Sequence, residues 1–208
     1  MTFQLPRIYP ITHKQLSGLS HADQVARLID GGASLIQLRD KESAPNIFFK
    51  EASAALAIAR SRKVKLIIND RIDIAMALDA DGVHLGQKDI PPDAARKMLK
   101  PDSIVGVSTH NITQVQIALT LPVDYIAFGP IFTTRSKSNN DPVVGLDQLA
   151  QVKKNVRERP LVAIGGITEE RVIDALKAGA DAVALISALL SEPRNIEQNM
   201  RKLLALSL

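Results

Sequence analysis

The sequence predicts an α/β protein, a (β/α)8 barrel forming one compact domain over residues 1–208, and three observations predict it. Short β-prone apolar runs alternate with longer segments of helical period, eight times over. The apolar runs are nearly unbroken, as in parallel strands buried on both faces beneath crossover helices. Small residues recur where a helix must hand over to the next strand, in GGASL from Gly31, DADGV from Asp79 and AGADAV from Ala178. A doubly wound open sheet is the structural rival, but eight units in about 200 residues suit a barrel near the small end of its range.

The elements follow in order. RIYPIT (7–12) reads as the first strand and DQVARLIDGG (23–32) as its helix. LIQLR (35–39) is followed by IFFKEASAALAIARS (47–61), in which Phe48, Ala52, Ala55 and Ala59 make the three- and four-residue stripe of a sheet-facing helix. KLIIN (65–69) precedes IDIAMALD (72–79), and GVHLG (82–86) precedes PDAARKML (92–99). SIVGVS (103–108) leads to ITQVQIALTL (112–121), and YIAFG (125–129) leads, through a polar loop, to LDQLAQVKKNV (146–156). LVAIGG (161–166) with EERVIDALKAG (169–179) and AVALIS (182–187) with IEQNMRKLLAL (196–206) complete the set. No linker or low-complexity stretch divides the chain.

Composition narrows the function classes. Hydrophobic residues make up 46 % and charged residues 23 %, with a mean hydropathy near zero, an ordinary globular balance. Cysteine is absent, which removes disulfides, thiolate metal sites and a cysteine nucleophile. The net charge of +4 invites nucleic acid, yet aromatics are 3 %, tryptophan is absent and the cations are dispersed. Small anionic ligands are the better complement, and neither nucleic acid nor membrane is expected as a partner. MTFQLPRIYPIT lacks the apolar core of a signal peptide, and AVALISALL is too short to span a bilayer. The expected location is cytoplasmic. A homodimer is compatible with the sequence, which carries no readable interface signature.

Chemistry in such a barrel is expected at the C-terminal ends of the strands. After the second strand, Gln37, Arg39 and Lys41 share one face while Leu38 takes the other. That polar face calls for an anion, unless it is a fraying strand pairing with Asp40 and Glu42. Asn69-Asp70 ends the third strand and Asp89 follows the fourth. Asp70 and Asp89 suit either one shared hard cation or two helix N-caps. His84 reads as a hydrogen-bonded core histidine. Ser108 lacks the surroundings of a nucleophile and reads as a hydrogen-bonding hydroxyl; Asn111 suits an N-cap. Gly165-Gly166 and Ile186-Ser187 end the last two strands, where backbone N–H groups can meet a phosphate, although Gly-Gly alone suits a tight turn equally. The loop after the sixth strand gathers Thr133, Thr134, Arg135, Ser136 and Lys137, within reach of both corners. Two anion pockets emerge, one of them with metal ligands, suiting a diphosphate with Mg²⁺ beside a monophosphate.

QLRDK, IINDR, DGVHLGQKD, GVSTHN, FGPIFTTRSK, VAIGGI and ISA occur in this order over nearly the whole chain, and the series resembles the thiamine-phosphate synthase (thiamin phosphate pyrophosphorylase) family. The resemblance implies transfer of a hydroxymethylpyrimidine unit from its diphosphate to the nitrogen of a thiazole phosphate, giving thiamine phosphate and pyrophosphate. It implies a dissociative route through a pyrimidine carbocation, for which no general base is needed. By that resemblance Gln37 contacts the pyrimidine; Arg39, Lys41, Asn69, Ser108 and Lys137 hold the diphosphate, with Leu38 and Asp40 beside them. Of these, Arg39, Lys41, Ser108 and Lys137 are the catalytic group. Asp70 and Asp89 bind Mg²⁺, and Thr134, Arg135, Ser136, Gly166, Ile186 and Ser187 hold the thiazole phosphate. One departure is visible: the family's Thr-x-Thr-Lys reads Thr134-Arg135-Ser136-Lys137 here, which keeps the hydroxyl.

Two rivals remain open at this stage. A thiazole tautomerase of the same superfamily needs only the monophosphate pocket and a proton-transfer residue such as His110. A non-catalytic phosphate-binding barrel needs no metal ligands facing a cationic cluster. The loop from Gly129 through residues 136–141 is expected to close over bound substrates.

Overall fold

The computed structural model describes residues 4–134, 141–156 and 158–207. Eight parallel strands are present: β1 (Ile8–Pro10), β2 (Leu35–Leu38), β3 (Lys65–Asn69), β4 (Gly82–Leu85), β5 (Ile104–Thr109), β6 (Tyr125–Phe128), β7 (Leu161–Ile164) and β8 (Ala182–Leu185). From β2 to β8 each strand pairs with the next in sequence, and β8 pairs with β1, placing Tyr9 opposite Ala184. Between β1 and β2 the ring is held by the bridge of Ile11 with Gln37 and by the Thr12 N–H donating to the Gln37 carbonyl at 2.9 Å. The barrel expected from the sequence is therefore the observed fold.

Around it lie α1 (Lys14–Ser17), α2 (His21–Asp30), α3 (Pro45–Ser61), α4 (Ile72–Leu78), α5 (Pro92–Met98), α6 (Ile112–Leu119), α7 (Gly145–Val156), α8 (Val172–Lys177), α9 (Ser187–Leu190) and α10 (Ile196–Leu206). The α3 stripe of Phe48, Ala52, Ala55 and Ala59 is fully buried, as its spacing predicts. Ser20 caps α2 and Asn111 caps α6, each accepting a backbone N–H from three residues on. The short helices α1 and α9 were not expected; at four residues each is too short to show a period.

Burial falls into two layers. Tyr9, Ile11, Leu35, Ile67, Tyr125 and Val162 fill the barrel interior, while Ile36, Leu38, Leu66, Ile68, Ile126 and Phe128 face the helices. Alternation along β2, β3 and β6 thus assigns odd-numbered residues inward. A fully buried Ile or Leu on either face contributes about 1.5–3 kcal/mol, so a one-residue slip of any strand would cost both layers at once. This register carries Gln37 and Asn69 inward at the top of the barrel. Some strand ends differ from expectation. Thr12 leaves the first ladder to bond a histidine, the positive φ of Gly165 (101°) ends β7 at Ile164, and Ser187 opens a helix rather than closing β8.

Candidate active site

Beyond β2 the chain delivers Arg39 and Lys41 to the barrel mouth. Arg39 is half-buried, and burial lowers its pKa against the pull of Asp70, Glu42 and Asp40. A cation losing its hydration without a bonded partner is stabilised by an anion. Lys41 is exposed and ion-paired with Asp70. Leu38 is fully buried toward the helices, so it faces the mouth only through its backbone. Asp40 also turns away. Its Oδ1 accepts the N–H groups of Glu42 and Ser43 at 3.1 and 2.9 Å, and its Oδ2 lies 3.4 Å from Nε2 of fully buried His21. Although burial opposes ionisation, those bonds prevail and hold the Asp40 carboxyl at about 2. The Asp40 side chain thus holds the β2 loop, so Asp40 can face the mouth only through its backbone.

Asp70 sits at the end of β3 with φ 61°, a left-handed conformation unusual for a residue with a Cβ and frequent where function demands strain. Its carboxyl is pushed up, first by burial; Lys41 opposes this and the adjacent Asp89 carboxyl adds to it. Asp89 Oδ2 accepts the Gly86 N–H at 2.6 Å. Neither aspartate caps a helix: α4 begins after Arg71 and α5 after Pro91, both without a side-chain cap. The capping explanation therefore fails for both. Two carboxyls in contact, one of them raised by burial and by the other, form a paired donor set for a cation. Among the described residues no group of three or more His, Cys, Asp or Glu gathers as a metal site. A two-carboxylate donor set fits Mg²⁺ that completes its shell with phosphate oxygens and water.

Ser108 lies across the mouth, nearly buried, with Oγ 2.8 Å from Nε2 of His84, which is itself buried. His84 is the hydrogen-bonded core histidine expected.

The second feature is a solvent-open cavity of about 580 Å³. Thr134, Gly166, Ile186 and Ser187 line it, together with His110 and Asp141. Gly166 is required twice over: its φ is 63°, and a Cβ there would stand 2.3 Å from the Thr133 carbonyl oxygen. The Gly-Gly step thus makes a tight turn and also lets the loop after β7 pack on the loop after β6. Phe132 N–H donates to the Gly165 carbonyl at 3.0 Å, and Arg171 stacks over the Phe132 ring at 4.4 Å. Arg135, Ser136 and Lys137, with the rest of residues 135–140 of the loop expected to close, lie outside the described residues.

His110, singled out from the sequence only for the tautomerase reading, lies on the wall of this cavity. Its Nδ1–H donates to the Gly129 carbonyl at 2.7 Å, leaving Nε2 turned toward Asp141 at 3.7 Å. The signal was present: His110 is two residues beyond Ser108 and so shares its face, while Thr109 between them is buried with its hydroxyl on the Ala127 carbonyl.

Comparison with known proteins gives one consistent result. A family profile described as thiamine monophosphate synthase matches residues 8–189. The chain is 45 % identical over 198 residues to the thiamine-phosphate synthase of Koribacter versatilis, covering 92 % of each chain. It is 42 % identical to that of Persephonella marina, covering 94 % of this chain and 93 % of the relative. The solved thiamine phosphate pyrophosphorylase of Pyrococcus furiosus superposes with a TM-score of 0.85 at 30 % identity, covering 97 % and 96 %.

Proposed function

The chain belongs to the thiamine monophosphate synthase family, and we propose that it joins a pyrimidinylmethyl diphosphate to a thiazole phosphate, forming thiamine phosphate and pyrophosphate. The observation that carries the assignment of substrates to pockets is the Asp70–Asp89 carboxyl contact beside Lys41 and half-buried Arg39. The reading further takes the chain to act as a single domain, in the cytoplasm, on two small molecules.

Asp70 and Asp89 would hold Mg²⁺, which when bound supplies positive charge to the departing diphosphate. Arg39 and Lys41, with Lys137 and Asn69, hold the diphosphate oxygens. Gln37 meets the pyrimidine from just below the mouth, and Ser108 donates to the leaving group from the opposite side. The carbon–oxygen bond breaks with its electron pair leaving on pyrophosphate, and the ring amino group supports the resulting pyrimidine cation. The thiazole nitrogen then forms the new bond with its own lone pair. No proton has to be removed, so the step draws on the cations and hydroxyls of the mouth. Thr134, Gly166, Ile186 and Ser187, with Arg135 and Ser136 from the same loop, orient the thiazole phosphate in the adjoining cavity. Alignment of the two partners supplies the remaining advantage.

The thiazole tautomerase reading would use the cavity and His110 alone and leaves Arg39, Lys41, Asp70 and Asp89 without a task. Mass-spectrometric identification of the product from the two substrates tests the assignment: thiamine phosphate supports it, and a thiazole isomer formed without the pyrimidine substrate overturns it.

A further inference from the structure

A chain of hydrogen bonds crosses the barrel axis just below the mouth. Gln37 Nε2 donates to Tyr9 Oη at 3.0 Å, and Tyr9 Oη lies 3.0 Å from Tyr125 Oη. Tyr125 Oη is 2.9 Å from His84 Nδ1, and His84 Nε2 is 2.8 Å from Ser108 Oγ. The five residues come from β2, β1, β6, β4 and β5, and the most exposed of them, Ser108, shows 6 % of its surface. The Tyr125 ring lies against Gly106, where a Cβ would stand 2.1 Å from its Cζ, and stacks on His84 at 5.5 Å. Burial pushes both phenol pKa values well above 10, so each keeps its proton.

Proton counting makes the bonds of the chain run one way, and Gln37 Nε2 facing Tyr9 sets which way. Gln37 also bonds Tyr125; along the four successive bonds from Gln37 to Ser108 each needs one proton, and with the imidazole neutral the two phenols and the ring supply three. The fourth must enter from one end. With Gln37 Nε2 donating, Tyr9 donates to Tyr125, Tyr125 donates to His84 Nδ1, and His84 Nε2–H donates to Ser108 Oγ. The Ser108 proton is then left over for a ligand, and Gln37 Oε1 remains an acceptor. If the Gln37 amide turned over, every bond would reverse and Ser108 would spend its proton on His84. A mixture would set two donors or two lone pairs against each other in a dry interior, at a cost of about 1–3 kcal/mol.

We propose that Tyr9, Tyr125 and His84 are positioning residues that couple the two substrate-facing ends of this chain, keeping Gln37 an acceptor toward the pyrimidine while Ser108 stays a donor toward the leaving diphosphate. The roles of the two ends rest on the substrate assignment above; the coupling itself does not. A donor held ready where charge develops acts in the transition state more than in the ground state.

The test reads His84 directly. In protein labelled with ¹⁵N-histidine, with only four histidines to assign, wild-type His84 is expected as the Nε2–H tautomer. Gln37→Glu can only accept from Tyr9, so it should reverse the chain and place a proton on His84 Nδ1. In a Tyr125→Phe background the exchange at position 37 should no longer move the His84 signals. An Nδ1–H tautomer in the wild type would overturn the proposal, and that measurement needs no variant to fold. So would an unchanged His84 in Gln37→Glu, or a change that persists without the Tyr125 hydroxyl. None of these readings needs a substrate, so they stand apart from the assignment of the reaction. In turnover, Tyr125→Phe should lower kcat about tenfold and lower it no further once Ser108→Ala is present; losses that multiply would count against the coupling.

Discussion

Asp70, at the end of β3, and Asp89, in the loop after β4, hold their carboxyl groups in contact, and Lys41 closes on Asp70 from the end of β2. Burial and the neighbouring carboxyl raise the Asp70 pKa above its ordinary 3.8, against the pull of Lys41. The folded protein thus favours the protonated form, and stability falls as pH rises through the window above 3.8. Asp70→Asn keeps a side chain that tolerates the left-handed backbone and removes the charge. The variant should melt at a higher temperature than the metal-free wild type at neutral pH while losing at least about 100-fold in turnover. Thermal unfolding and a turnover assay on one preparation check both halves.

The two pockets should separate by mutation. Asp89→Asn retains an oxygen for the Gly86 N–H and removes the charge, so turnover should collapse while thiazole-phosphate binding, measured calorimetrically, stays within about twofold. Parallel loss of that binding would argue for one shared pocket.

His110 should act on the thiazole side. Its bond to the Gly129 carbonyl and its place on the cavity wall predict that His110→Ala weakens thiazole-phosphate binding roughly tenfold. Affinity for the pyrimidine diphosphate should be unchanged. Equal weakening of both substrates would remove His110 from the thiazole side.

Acid stability should carry the signature of the buried pair under the β2 loop. Burial lowers the His21 pKa from 6.5, with Lys14 adding to it and Asp40 and Glu51 opposing it. The neutral ring bonds Thr12 Oγ1 at 2.8 Å and lies near Asp40. Folding excludes a proton that the unfolded chain binds, so stability is complete above 6.5 and is lost as pH falls through the window below it. A second loss, from Asp40, follows as pH falls from 3.8 toward about 2. His13 is shifted in the same direction by burial and Arg39, so the measurement is the difference in urea stability between wild type and His21→Gln across pH. A slope below 6.5 that is identical in both would contradict the assignment.

Gly106 should be intolerant. The Tyr125 ring occupies the space of its Cβ, so Gly106→Ala is expected to cost about 3 kcal/mol of unfolding free energy. Urea denaturation reads it, and a loss below about 0.5 kcal/mol would mean that the ring yields freely.

The strands were legible because each is an apolar run with small residues before it, and the mouth was legible because Arg39, Asp70 and Asp89 interrupt that pattern where a buried strand should end. The loop-holding side chain of Asp40 was not legible for a physical reason: its partner His21 is held beneath it by tertiary packing of α2, which no local pattern reports. No sequence pattern sets Tyr9 and Tyr125 apart, since strands apolar on both faces hide which residues point inward. Only the barrel register shows that their hydroxyls meet at 3.0 Å. The capping and metal readings of Asp70 and Asp89 differ by backbone geometry, which composition does not encode.

The most direct measurement of the central claim is pyrophosphate release on mixing the protein with the pyrimidine diphosphate and the thiazole phosphate, with Mg²⁺ and then with EDTA. The account predicts one pyrophosphate per thiamine phosphate, only with both substrates present, and suppressed by EDTA. Release that ignores either the thiazole phosphate or the metal would contradict it.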